Sequence, residues 1–157
     1  MIFEQVFSPK SVIINLESTE KEELFEEMLE SIVAVQSGID RSDALQALEA
    51  REAKMSTGII HLVAVPHANV GSVTGIAGAI GISSKGIDYE ALDNEKVRLV
   101  FMLLCNPDES ELHLKVMREL SVILQDPSFV EEMLAADTQR DAFDILCAYE
   151  KKIDRLQ

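Results

Sequence analysis

Two rhythms of apolar and polar positions alternate along the chain. Val12 to Leu16 is a short β-branched run and predicts a first strand. Helical spacing follows at Phe25, Met28, Leu29 and Ile32. Thr19, with Glu22 three residues on, predicts a capping box that opens this helix. Gly38 predicts its left-handed stop. Asp40 caps a second helix with Ala44, Leu45 and Leu48 on its inner face and Arg51 at that face's edge, near the helix end.

The middle of the chain shortens its period. Leu62 to Val65 reads as extended, since a residue before proline is pushed out of the helical region. Val73 to Ile82 reads as a strand with glycines, and Val97 to Leu104 as a strand covered on both faces. Between them, Ser84 to Glu95 reads as a polar loop holding a short strand around Ile87–Tyr89.

Helical spacing then returns. Asp108, with Glu111 as box partner, opens a helix striped by Leu112, Val116, Met117, Leu120, Ile123 and Leu124. Asp126-Pro127 starts a helix with Phe129, Val130, Met133 and Leu134 inside, and a last one runs from about Thr138 through Phe143, Ile145, Leu146, Tyr149 and Ile153. Strands mixed with helices predict one layered α/β domain over residues 1–157.

Composition narrows the partners. The 157 residues carry 28 acidic and 14 basic side chains, a net charge of -14, and no basic cluster to neutralise phosphates. That excludes nucleic acid and disfavours anionic membrane surfaces, while a basic protein partner is compatible. Cys105 and Cys147 both follow aliphatic residues and read as buried, reduced thiols. The opening MIFEQVF lacks the basic region and apolar run of a secretory signal. The longest apolar run, Leu99 to Cys105, is far short of the roughly 20 residues a membrane helix needs. The expectation is a soluble, cytoplasmic protein.

Most catalytic signatures are missing from the sequence. It has no P-loop, no G-x-S-x-G elbow, no H-E-x-x-H and no C-x-x-C. The glycines between Gly75 and Gly81 lack dinucleotide-fingerprint spacing and read as strand glycines at a close backbone approach. His61 and His67 have no obvious third zinc ligand. Neither metal nor cofactor is expected.

Three histidines remain. His67 follows Val63-Ala64-Val65-Pro66, and the proline, lacking an N–H, ends strand pairing and leaves the imidazole at a strand's carboxyl end. Imidazole there is a nucleophile near neutral pH, or else an ordinary loop residue. His113 lies in the first turn of the helix opened by Asp108, on the face of Met117, Leu120 and Leu124. It reads as an anion contact or as a hydrogen-bonded core histidine. Arg51 reads as a phosphate fork or as a solvated charge at a helix end. His61 reads as a surface residue.

Together, Arg51-Glu52, Ser56-Thr57-Gly58-Ile59, Val63-Ala64-Val65-Pro66-His67 and His113-Leu114 after Asn106-Pro107 resemble the enzyme IIA domain of the fructose/mannitol class of the bacterial phosphoenolpyruvate-dependent sugar phosphotransferase system. The likeness runs from the first strand to the last helix. It implies a mixed β-sheet with helices on both faces. It implies that His67 accepts a phosphoryl group from the carrier HPr, that His113 hydrogen-bonds it, and that Arg51 stabilises its charge. It implies onward transfer to a cysteine of an enzyme IIB domain that feeds a membrane sugar carrier. The chain departs from the family where Ile60, His61 and Leu62 replace a Gly-polar-Gly stretch and Ala68 replaces the glycine after the active histidine. Lost glycines imply a differently shaped loop, which bears on the identity of the donor.

Three functions fit these residues: a sugar-transport phosphocarrier, a regulatory phosphoacceptor like the nitrogen-related branch of the same system, and a non-phosphorylated interaction module on the same fold.

Overall fold

The structure, a computed structural model, describes residues 1–156. The chain opens with a short helix α1 (Phe3–Val6), a 3-10 turn at Pro9–Ser11 and strand β1 (Val12–Ile14). Two helices follow, α2 (Lys21–Val35) and α3 (Arg41–Lys54). Then come strands β2 (Val63–Ala64), β3 (His67–Asn69), β4 (Ile76–Ile87) and β5 (Val97–Cys105). Helices α4 (Ser110–Leu124), α5 (Pro127–Leu134) and α6 (Gln139–Leu156) complete it.

The sheet is mixed. β5 sits between β4, which it pairs antiparallel, and the short β2 and β3, both parallel to it; β1 lies parallel to the far side of β4. Side chains of β5 alternate between two cores. Leu99, Phe101, Leu103 and Cys105 join α1, α4, α5 and α6, while Val100, Met102 and Leu104 join α2 and α3. A strand buried on both faces must be apolar throughout, and Val97–Cys105 is, apart from Arg98. Helices cover both faces, as expected.

The glycines of β4 show why they are there. A Cβ at Gly78 would stand 2.5 Å from Phe7, and one at Gly81 2.7 Å from Leu16, so bare backbone lets the N-terminal segment and the turn after β1 lie flat on the sheet.

Several local expectations are corrected. Thr19 does not cap α2; Glu20 holds that position without a side-chain bond, and Glu27 instead reaches back to accept from the Glu17 and Ser18 amides and the Ser18 hydroxyl. α2 ends at Val35, and Gly38 serves the turn beyond it at φ +91°. Asp108 does not cap α4. Asn106 accepts from the Asp108 amide and opens a 3-10 turn, Pro107–Glu109, ahead of the helix. The extended stretch shrinks to Val63–Ala64, because Leu62 sits at φ +69°. β4 starts at Ile76 and takes in the start of the expected Ser84–Glu95 loop, ending at Ile87 with its register shifting between Ile82 and Ile87, so no separate strand forms around Ile87–Tyr89. Cys147 is only partly buried, whereas Cys105 is fully so. The short α1 has no periodic signature of its own.

The helix starts at Asp40 and Asp126 stand as expected, their carboxylates accepting from the amides of Asp43 and Ser128. The last helix, expected from about Thr138, proves to be capped by the Thr138 hydroxyl, which accepts from the Asp141 amide.

Candidate functional site

Proline decides where the site forms. Pro66 separates β2 from β3 and offers no amide, but pairing with β5 does not end there. Leu103 donates to the Pro66 carbonyl at 3.0 Å, and β3 resumes at once with His67 opposite Leu103. His67 is thus the first residue of β3, half-buried, on a backbone fixed at both sides.

Its ring is oriented by the short link between β2 and β3. Nδ1 lies 2.8 Å from the Val65 carbonyl oxygen. A carbonyl only accepts, so Nδ1 carries the proton, and in the neutral ring Nε2 holds the free lone pair. Burial pushes the His67 pKa below 6.5; the Val65 bond opposes this, Arg51 reinforces it, and Glu52 opposes it. The ring is therefore neutral near pH 7.

α4 brings the second imidazole. His113, in its first turn, meets His67 edge to face with ring centroids 5.7 Å apart and planes at 72°. Burial and the His67 ring lower its pKa as well. The positive charge of Arg51, from the last turn of α3, acts on His67, and its Nη1 donates to the Met55 carbonyl at 3.0 Å. The three residues singled out from the sequence thus converge on one place. His61 does not join them: it is exposed, and its Nδ1 pairs with Asp93 at 3.1 Å.

Beside His67 opens a cleft of about 470 Å³. Arg51, Thr57 and His67 give it polar groups, while Val63, Val65, Leu120 and Leu124 line it with aliphatic surface. Sequence reasoning missed this cleft, since its walls come from three separate segments.

It also missed the polar cluster under the site. Glu52 is buried, and its carboxylate accepts from the Thr57 amide at 2.7 Å, the Thr57 hydroxyl at 2.7 Å and the Tyr89 hydroxyl at 2.9 Å. Lys21 Nζ stands 4.0 Å away. Burial, then the Glu52 charge, drive the Tyr89 pKa upward, so its phenol stays protonated and donates. The adjacency of Arg51 and Glu52 was visible in the sequence, but nothing there paired Glu52 with Tyr89, 37 positions away.

A half-buried imidazole with one nitrogen committed, a second imidazole against it and a guanidinium nearby, at the edge of a three-layer mixed sheet, define a domain of the enzyme IIA type. The chain belongs to the family described as the phosphoenolpyruvate-dependent sugar phosphotransferase system, EIIA 2, whose family model matches residues 5–149. Its membership makes it a phosphotransfer component of the fructose/mannitol class.

It is 32% identical over 147 residues to the fructose-specific EIIABC component of Bacillus subtilis, covering 94% of this chain but only 23% of that relative's length. The nitrogen regulatory protein IIA-Ntr from Neisseria meningitidis superposes with a TM-score of 0.86 at 25% identity, covering 93% of this chain and 99% of the other. Enzyme IIA-mannitol of Escherichia coli, solved in complex with phosphorylated enzyme IIB-mannitol, has the same fold, with a TM-score of 0.76 at 19% identity over 90% and 97% of the two chains. Among the described residues no helix is long and apolar enough to cross a membrane.

Proposed function

We propose that this chain, as one IIA domain over residues 1–157, is a cytoplasmic phosphocarrier. His67 takes a phosphoryl group from an HPr-like carrier and gives it to a cysteine of a IIB protein. The observation that carries this reading is the 2.8 Å contact between His67 Nδ1 and the Val65 carbonyl, which leaves Nε2 as the nucleophile.

The chemistry asks for little covalent work from the protein. The Nε2 lone pair attacks phosphorus in line; the new N–P bond forms as the donor's N–P bond breaks, and the donor imidazole keeps that electron pair. Val65 continues to hold the Nδ1 proton and stabilises the charge that develops on the ring. His113 and Arg51 donate to the equatorial oxygens through charge-assisted hydrogen bonds. Onward transfer reverses the logic: a IIB thiolate attacks phosphorus, and His67 leaves as neutral imidazole. The apolar cleft beside His67 supports docking of a protein surface that excludes water from the transfer. The net charge of -14 suits a basic donor.

The test is incubation with phosphoenolpyruvate, enzyme I and HPr. An acid-labile phosphoprotein is expected, absent in His67→Ala. Unchanged labelling of that variant removes the assignment.

The likeness to IIA-Ntr at TM-score 0.86 favours a second reading, in which the same phosphoacceptor regulates other proteins by binding them. Labelling without onward transfer to any IIB protein supports it. A wild type that no carrier labels supports the non-phosphorylated interaction module.

A further inference from the structure

Glu52 takes no direct part in the transfer just described, yet its contacts lead to His67. Its carboxylate holds the Thr57 amide and hydroxyl. The Thr57 carbonyl in turn accepts from the Val65 amide at 3.4 Å. The Val65 carbonyl then accepts from His67 Nδ1 at 2.8 Å. Each link fixes the next group's position, and the last one decides which imidazole nitrogen is free.

We propose that Glu52 is a positioning residue that acts through Thr57 and Val65 to fix the tautomer of His67 and the direction of its Nε2. Its consequence for phosphoryl transfer rests on the reading of His67 as phosphoacceptor; the effect on the tautomer does not.

Three features favour this role over simple loop anchoring. The loop carrying Thr57 already has other anchors, since Leu92 donates to the Gly58 carbonyl at 3.0 Å and a Cβ at Gly58 would stand 2.8 Å from that of Ala91. Three donors converge on a carboxylate out of reach of water, where charge-assisted hydrogen bonds are strong and their loss is costly. And Glu52 and Arg51, neighbours on α3, push the protonation of His67 in opposite directions. The carboxylate therefore both orients the ring and offsets the guanidinium. Losing one charge-assisted hydrogen bond corresponds to a change of roughly tenfold or more in the step that depends on it.

The experiment uses the full chain labelled with ¹⁵N in histidine. Two-bond ¹H–¹⁵N spectra report the tautomer and titration of His67 in the wild type, Glu52→Gln, Glu52→Ala, Thr57→Val and Thr57→Ser. The wild type is expected in the Nδ1–H form alone. Glu52→Ala and Thr57→Val are expected to give a tautomer mixture and to slow labelling by HPr about tenfold or more. Glu52→Gln, which keeps the shape and is the variant that reports if Glu52→Ala fails to fold, is expected to lower the His67 pKa. Thr57→Ser, keeping the hydroxyl, restores the wild-type tautomer. A His67 whose tautomer and titration are unchanged in folded Glu52→Gln and Thr57→Val overturns the proposal. A tautomer that shifts as expected in a protein that HPr never labels upholds the positioning role and removes the phosphoacceptor reading instead.

Discussion

His67 and His113 meet edge to face, their ring centroids 5.7 Å apart, although they lie 46 positions apart in the chain. His67 lowers the tendency of His113 to take a proton, because two imidazolium ions at this spacing repel. One of them is tied to Val65, and the other, on the first turn of α4, is free to donate to an oxygen held between them. The roles are therefore unequal. His67→Ala should abolish phosphorylation. His113→Ala should still be labelled but transfer onward roughly 10- to 100-fold more slowly, the equivalent of one charge-assisted hydrogen bond of about 1.5–3 kcal/mol. Rapid-quench transfer assays with a IIB protein check this.

Acid should switch the site off late. The folded His67 pKa lies below 6.5, so the imidazole proposed as nucleophile stays neutral as pH falls past that value and is lost only at the lowered one. For stability the sign is the same as for any depressed group. The contribution is present above the unfolded value of 6.5 and is lost as pH falls through the folded value. Arg51→Gln removes a neighbouring positive charge and should raise the His67 pKa while slowing transfer. A pH–rate profile of labelling, beside a histidine titration by NMR, reads both shifts.

Glu150 titrates in the opposite sense. It accepts from the amides of Ile2 and Phe3 at 2.9 and 3.1 Å, which fastens α1 to α6. Burial is the largest cause raising its pKa above 4.5, and Glu119, whose Oε2 has no partner, adds to the rise. Its stabilising contribution is complete below 4.5 and declines as pH rises through the folded value. Glu150→Gln keeps an acceptor for both amides and should raise the Tm at neutral pH, with less gain in acid. Thermal melts across pH test it.

Leu62 adopts φ +69°, where a non-glycine side chain costs roughly 1–2 kcal/mol. Glycine gives back part of that gain as lost backbone entropy, about 0.5–1 kcal/mol. Leu62→Gly should therefore stabilise the fold by roughly 0.5–1 kcal/mol in urea denaturation, while restoring a glycine of the family loop.

Phe129 tests the core away from the site. It packs between Phe101 and Tyr149, with centroids 6.2 and 5.0 Å away, and is fully buried. Phe129→Ala should cost about 3–5 kcal/mol while leaving the histidine tautomers intact, as denaturation and ¹⁵N spectra will show.

These outcomes also mark what the chain discloses before it folds. The helices were legible because burial on one face imposes a period, as in Leu120, Ile123 and Leu124. β5 was legible because burial on both faces removes polar residues. Local chemistry was harder to read. Thr19 and Asp108 have capping character, yet α2 starts after Glu20 with no side-chain cap, and Asn106 caps a 3-10 turn ahead of α4, since a cap is decided by geometry rather than residue type. β3 was hidden behind Pro66, because a strand of three residues paired only to β5 leaves no pattern. The convergence of Arg51, His67 and His113 came from family likeness, and the structure supplies its geometry. The Glu52–Thr57–Tyr89 cluster needed the fold, for it joins α3 to the segment just after β4 on one face of the sheet.

The proposed phosphocarrier role assigns the phosphoryl group to one nitrogen of one histidine. Phosphorylate the ¹⁵N-histidine-labelled protein through enzyme I and HPr, then record ³¹P–¹⁵N coupling. Coupling to Nε2 of His67, with Nδ1 still protonated, is the expected result. A phosphorus coupled to His67 Nδ1, to His113 or to His61 contradicts it.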